Sequence, residues 1–168
     1  AYAGYKISTG DKNTFVGTES GPQGSAGTGD ENIGVGYTTL AALTSGASNT
    51  ALGTAALATN TDGNNNTAVG YQALYGNISG DYNTALGWKA LVDTTTNGNG
   101  NIGIGYDGGR AITTGDNNVA IGIYAMGGAN SKTGNDNICI GRNTGNDLSS
   151  AGYNVIIGGN AAPLMHSG

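Results

Sequence analysis

The stretch NTAVGYQALYGNISGDYNTALG, from Asn66 to Gly87, contains one five-residue unit twice. The unit begins with Asn, ends with Gly and has an apolar residue immediately before the Gly. Its nine copies recur with a period of about 17 residues, and a few intervals are slightly longer. A repeat of this length is typical of a solenoid, in which each repeat forms one coil and stacks on its neighbours. The units cover residues 13–17, 32–36, 49–53, 66–70, 83–87, 101–105, 118–122, 137–141 and 154–158.

The period predicts an all-β fold. At ~3.3 Å per residue, a coil of this length has room for two short strands and two turns, but not for an ordinary helix beside a strand. We therefore predict a parallel β-solenoid, or β-roll, of nine coils of about 17 residues, in one repeat domain spanning residues 1–168. With coils about 4.8 Å apart, the stack would be roughly 40 Å long.

Each unit has two faces because side chains alternate along a strand. Thr67 and Val69 point to one face, and their size predicts that this face is buried. Ala68 points to the other face, and a small residue there would allow three rolls to pack closely. A second segment follows the Gly, and its recurring apolar residue is expected in the same core. That residue is Leu40, Leu57, Leu74, Leu91 or Met126, whereas Gly21, Gly109 and Gly145 take its place in three coils.

The first residue of the unit is Asn in every copy. Stacking would place these residues in one column, where buried asparagines can satisfy each other's amides. The ladder comprises Asn13, Asn32, Asn49, Asn66, Asn83, Asn101, Asn118, Asn137 and Asn154. Two residues earlier, most coils have Asp or Asn, as at Asp81. This pattern predicts a turn at each corner of the coil. In that turn, the Asp or Asn side chain bonds to the backbone two residues further on, and the neighbouring Gly has a positive φ.

Composition excludes several classes of function. The 168 residues include 33 Gly, and 6 basic against 11 acidic residues give a net charge of −5, which argues against a nucleic-acid partner. One Cys and one His cannot form a disulfide or a Cys/His metal site, and no cofactor is expected. No apolar run approaches the ~18 residues of a membrane span, so we expect no membrane insertion.

The acidic residues at the corners do not predict a metal site. Calcium-binding β-rolls use a nine-residue GGxGxDxUx unit, whereas the period here is about 17 and Asn often replaces Asp. Corner capping explains these residues better.

An aromatic stripe is predicted at the position after the Gly of the unit. Stacking would align the aromatic residues of this column, Tyr37, Tyr71, Trp88 and Tyr106. Two interpretations remain open. The stripe contacts sugar rings or another receptor, or it packs at the coil edge or between chains.

An enzyme is not predicted, because a uniform repeat lacks the one special, desolvated place that catalysis needs. A glycan depolymerase would use paired carboxylates, but Asp107 and Arg110, in the only deviant cluster, suggest an ion pair or a turn. Cys139 is expected to be a buried thiol.

Ice binding is a further alternative, because it would need threonines aligned at one position on a flat face. Thr14, Thr50, Thr67 and Thr84 share one position, but Ile33, Ile102, Val119, Ile138 and Val155 interrupt the rank.

The run from Asn66 to Leu91 resembles the repeats of phage tail fibres. The unit NVAIG, Asn118 to Gly122, is more distantly similar to the head repeats of trimeric autotransporter adhesins, which have shorter coils. Those heads are left-handed parallel β-rolls in which three chains pack side by side. The resemblance implies an extracellular homotrimer, on a virion tail or cell surface, that contacts a host glycan or protein receptor. A bacterial surface adhesin head or a filament subunit is the alternative.

Self-association is also expected on physical grounds, because so short a coil has a thin core and gains from lateral contacts. A monomeric solenoid is the competing possibility, since nine coils exceed the ~3 that a cooperative stack needs. Partner contact is expected at the longest insertions, which are Gly21 to Asp30, Thr94 to Gly100 and Gly127 to Gly134.

Overall fold

The computed structural model describes residues 2–93, 98–128 and 131–161. These residues form a parallel β-solenoid and include no helix, which confirms the predicted fold class. Each strand consists of the three middle residues of one five-residue unit, and it pairs with the next strand along the chain. The strands are β1 Thr14–Val16, β2 Ile33–Val35, β3 Thr50–Leu52, β4 Thr67–Val69, β5 Thr84–Leu86, β6 Ile102–Ile104, β7 Val119–Ile121, β8 Ile138–Ile140 and β9 Val155–Ile157.

Equivalent residues of neighbouring coils lie directly above one another. Ala68 pairs in register with Ala51 on one side and with Ala85 on the other. Register is kept even in the longer coils, because their insertions fall between strands. The repeat therefore converts a pattern in sequence into columns of like residues in space.

The predicted burial of the strand faces is wrong. Ala51, Ala68 and Ala85 are fully buried, whereas Leu52 and Leu86 are each 47% exposed. The coil is too narrow for large side chains from both of its sides. A buried Leu from the second segment already occupies the interior, so the strand opposite contributes a small residue.

The second segment contributes to the core, as predicted. Its recurring residues Leu40, Leu57, Leu74, Leu91 and Met126 are fully buried. A further buried apolar column, three residues later in the coil, contains Leu43, Ile112 and Leu148, which the sequence analysis did not identify.

This second segment is not the second strand that the coil length predicted. Gln72 and Leu74 both have left-handed backbones, with φ of 53° and 50°. The amide of Gln72 donates to Thr54 O of the preceding coil at 2.9 Å, and that of Leu74 donates to Ala90 O of the next coil at 2.9 Å. Left-handed residues cost roughly 1–2 kcal/mol each. The cost is offset because the segment bonds to the coils on both of its sides.

The corners also differ from the prediction. The left-handed residue is Tyr82, with φ of 59°, between Asp81 and Asn83. Gly80 is needed for a different reason, because a Cβ on it would lie 2.5 Å from Gly98 O of the next coil. Asp81 Oδ1 accepts from the backbone amide of Asn64 in the preceding coil, at 2.6 Å. The corner side chains thus connect neighbouring coils, and Asn64 Nδ2 also donates to Asp62 O of its own turn at 2.9 Å.

Candidate functional site

The asparagine column is a continuous hydrogen-bonded ladder. At every step, the backbone amide of one Asn donates to Oδ1 of the Asn before it, over 2.8 to 3.1 Å. Asn49 Nδ2 also donates to Asn32 Oδ1 at 3.0 Å and to Gly63 O at 2.8 Å. Its amide is fully buried and its bonding capacity is used within the protein. This column therefore holds the coils together and is not a ligand site.

Three of the four aromatic residues of the predicted stripe are stacked. The ring centroids of Tyr71 and Trp88 are 5.9 Å apart with planes 18° from parallel, and those of Trp88 and Tyr106 are 4.6 Å apart and 5° from parallel. Trp88 is 38% exposed, so the stack lies at the surface. Tyr37 is exposed but separate, because Thr54 occupies the column in the coil between.

Tyr124 extends the stack, and the sequence analysis missed it. Its centroid lies 5.4 Å from that of Tyr106, with the planes at 75°. Tyr124 is one residue beyond the stripe position, which Ile123 occupies in that coil. A search of the adjacent position for aromatic residues would have found it. A side-chain hydrogen bond with Tyr124 raises the pKa of Tyr106 above its ordinary value.

A cleft of about 380 Å³ opens beside this end of the stack. Its walls come from three consecutive coils and consist of Trp88, Lys89, Val92, Asp93, Tyr106, Asp107, Arg110 and Tyr124. Lys89 Nζ lies 4.5 Å from the centroid of the Trp88 ring, a cation–π distance. The cleft thus combines aromatic surface with two cationic and two acidic side chains.

Asp107 and Arg110 form a turn, one of the two arrangements that the sequence left open. The backbone amide of Arg110 donates to Asp107 O at 3.2 Å. The guanidinium instead reaches the preceding coil, where Arg110 Nε lies 3.4 Å from Asp93 Oδ2. That pair is about half exposed, so it contributes little to stability.

The Asp107 carboxyl lacks such a partner. The residue is only 4% exposed, and its Oδ1 has no hydrogen-bond partner in the described part of the chain. Burial raises its pKa above the ordinary value, while the charges of Arg110 and Lys89 oppose that shift. Buried polar atoms are almost always hydrogen-bonded, so Asp107 Oδ1 and Asn77 Oδ1, which also lacks a partner, are exceptions within the described residues.

The outer strand face is a second unusual surface. We give this name to the outward side chains of β1 to β9, which are the first and third residues of each strand. All of them are Thr, Val, Ile or Leu, and none is charged. Val16 is 55% exposed and Ile157 is 66% exposed. The two columns are about 7 Å apart and roughly 40 Å long.

Only part of the predicted insertion loops is described. In Gly21 to Asp30, residues 24–26 form the exposed tip, while Gly27 is buried and bonds to Lys6 O at 2.8 Å. Residues 94–97 and 129–130 of the other two insertions lie outside the described residues. Lys132, in the third insertion, is 1% exposed, and its Nζ donates to Asn146 O at 2.7 Å. This lysine anchors its loop to the next coil.

Within residues 2–93, 98–128 and 131–161, no three or more His, Cys, Asp or Glu side chains cluster in a way that could hold a metal ion. No helix in the same ranges is long and apolar enough to cross a membrane.

These features define the chain as a parallel β-solenoid repeat protein with an uncovered sheet face and an aromatic cleft. Comparison with known proteins finds no matching family model, curated protein or solved structure.

Proposed function

We propose that this chain is a rigid structural and adhesive segment of an extracellular fibre, such as a phage tail fibre shaft or receptor-binding region. Three copies associate through the outer strand face, and the aromatic stripe contacts a cell-surface glycan or protein receptor. A bacterial surface adhesin head or filament subunit would use the same surfaces. The role is not enzymatic. The observation that carries the proposal is the uncovered, uncharged face of a parallel sheet.

Parallel sheets normally have both faces covered, because their strands are apolar on both sides. In this solenoid the inner face covers the core, but no described segment covers the outer one. Exposed apolar patches of several hundred Å² mark interaction surfaces. A second and third copy of the chain offer apolar faces of matching length, so three copies can bury one another's Val, Ile and Leu side chains.

The proposed interface differs from the one that the sequence suggested. Ala68 and its equivalents line the interior of the coil, so small residues cannot mediate contact between chains. In the proposed interface, the outward column that contains Leu52 and Leu86 contacts the other chains instead. The net charge of −5 does not oppose this association directly, because the outer strand face carries no charged side chain.

Rigidity is supported by the hydrogen bonds between coils. Each coil bonds to the next along its strand, its second segment, its corner and its asparagine. Bending the stack would stretch several of these bonds at once. This arrangement suits a load-bearing rod.

Ice binding is the second candidate, because Thr14 and Thr67 lie outward and exposed on a regular sheet. It requires the same face to remain free, whereas a trimer buries it. The two functions therefore exclude each other at this surface. A monomer that shows thermal hysteresis would replace the fibre proposal.

Sedimentation equilibrium tests the association. The chain has a mass of 16.5 kDa, and a trimer has three times that mass. We expect the trimer mass for the wild type and a monomer for the double variant Leu52→Asp and Leu86→Asp. Tyr82→Asp is the matched control, because Tyr82 is 66% exposed away from the strands and Asp136 holds the equivalent corner position. A wild-type monomer throughout the micromolar range would contradict the proposal.

A further inference from the structure

The cleft beside Trp88 lies where the chain departs from its repeat. It depends on Asp107, which is buried at a position where Thr38, Ala55 and Gln72 are half-buried in other coils. It also depends on Tyr124, which stands at 75° to Tyr106 and so ends the parallel stack. The deviation from the repeat therefore coincides with an open cleft and an acceptor that lacks a hydrogen-bond partner.

Charge in the cleft argues against an ionic ligand. Lys89 already lies over the Trp88 ring, and Arg110 already pairs with Asp93. The Trp88 ring and the Asp93 carboxylate therefore each have a positively charged side chain beside them. A further cation would be repelled by both of these side chains. An anion would be repelled by Asp93 and Asp107. Because the two positive charges balance the two negative charges, the cleft favours a neutral ligand.

The polar groups specify what kind of neutral ligand fits. Asp107 Oδ1 lacks a donor, and Lys89 and Arg110 have N–H groups that can donate. A ligand hydroxyl can both donate and accept, so neighbouring hydroxyls can bond a carboxylate and a cation together. Tyr71 and Tyr106 cover the faces of the Trp88 ring, so the edges of Trp88 and Tyr106 and the Tyr124 ring offer apolar surface to C–H groups. A sugar ring presents C–H groups on its faces and hydroxyls around its rim.

We propose that the cleft formed by Trp88, Tyr106, Asp107 and Tyr124 binds one neutral hexopyranose unit, with a sugar hydroxyl donating to Asp107. A volume of about 380 Å³ lies within the range of small-molecule sites. The inference rests on the adhesive part of the proposed function and narrows it to one site in the coils of β5 to β7. It assigns no role in this binding to Tyr37, which lies outside the cleft.

Fluorescence titration of the full chain tests this inference directly, because Trp88 is its only tryptophan. The probes are glucose, galactose, mannose and N-acetylglucosamine, with glucuronate and glucosamine as charged counterparts. We expect a saturable change in Trp88 emission with at least one neutral sugar in the millimolar range. Each charged counterpart should bind at least several-fold more weakly.

Asp107→Ala should weaken that binding about tenfold or more, since it removes a charged acceptor. Ala55 has the same left-handed conformation at the equivalent position, with φ of 57° against 52°, so this variant should fold. Asn143→Ala, at the equivalent position with φ of 55°, is the matched control outside the cleft and should bind like the wild type.

Three outcomes would overturn the inference: no saturable response to any neutral sugar, stronger binding of a charged sugar, or unchanged affinity in Asp107→Ala. The titration does not depend on oligomeric state. A trimer without sugar binding would leave the rod intact and remove this site, whereas a sugar-binding monomer would retain the site and remove the proposed assembly.

Discussion

The side chain of Cys139 occupies the space next to Gly145. A Cβ on Gly145 would lie 2.4 Å from Cys139 Sγ, so the larger residue on the strand requires the smaller one in the second segment. Phe15 and Gly21 show the same relationship, since a Cβ on Gly21 would lie 2.7 Å from the Phe15 ring. In these two coils, a larger residue on the strand thus accompanies a Gly in the second segment.

This relationship predicts a strong coupling between two substitutions. Gly145→Leu alone should lower the free energy of unfolding by about 1–3 kcal/mol, because the new side chain overlaps Cys139. Combining it with Cys139→Ala should restore most of that loss, since Ala120 and Met126 already form such a pair in the preceding coil. Urea unfolding of the wild type, both single variants and the double variant measures the coupling.

The backbone at residue 145 does not confound this test. Gly145 has φ of 67°, and Leu57 has φ of 50° at the equivalent position, so leucine is compatible with that conformation. Additive effects of the two substitutions would show that Cys139 and Gly145 do not share a volume.

The asparagine ladder predicts a large effect of removing one side chain. Asn66→Ala would leave the buried backbone amide of Asn83 without its acceptor, whereas the carbonyl of Gly80 would keep its bond from Asn77 Nδ2. A buried unsatisfied group costs about 1–3 kcal/mol, so we expect a loss of about 2 kcal/mol in urea unfolding.

Asn64→Ala is the matched control for Asn66→Ala. Asn64 lies two residues away at the half-buried corner, and Ala47 holds the equivalent position in the preceding coil. We expect a loss below about 1 kcal/mol for this variant. Equal losses in the two variants would mean that the ladder contributes no more than the corner.

The sequence predicts the coil, its register and its buried leucines, because each depends on a period that can be counted. It does not predict which strand face is inside. Alternation distinguishes the face of Val69 from that of Ala68, but the choice between them depends on the width of the coil, which Leu74 on the opposite side sets. The usual preference for burying the larger residue fails in so narrow an interior.

The candidate site was predicted only in part. Trp88 and Tyr106 were found because they share a position in the repeat. Tyr124 was not, because it stands one residue out of phase with them. The burial of Asp107 depends on side chains from neighbouring coils, which no single repeat reveals.

The Gly of the five-residue unit should tolerate no side chain. Gly70 has φ of +136°, and a Cβ there would lie 2.3 Å from Gly87 O in the next coil. Gly70→Ala therefore meets both backbone strain and a clash with a rigid backbone atom. We expect a fall in the melting temperature of at least several degrees, measured by circular dichroism.

Gly24→Ala is the control for this substitution, since a Cβ on Gly24 has no atom within 4 Å and its φ is not positive. Its melting temperature should equal that of the wild type or slightly exceed it. If Gly70→Ala melts like Gly24→Ala, the coils are not packed as closely as these distances require.

Cys139 should make stability depend on alkaline pH. The side chain is fully buried, and burial raises the pKa of its thiol from 9.0 to about 11, with the charge of Lys132 partly opposing the shift. The folded protein holds this proton more tightly than the unfolded chain does. The resulting contribution to stability is therefore complete below pH 9 and lost as pH rises from 9 to about 11.

Urea unfolding between pH 8 and 11 measures this contribution, and Cys139→Ala should show a smaller decline over the same window because it lacks the thiol. The folded wild type should also resist iodoacetamide at pH 8.5 and react after unfolding, because the reactive thiolate is rare and shielded in the folded state. Rapid labelling of the folded protein, or identical declines for both proteins, would show that the thiol is accessible and titrates as it does in the unfolded chain.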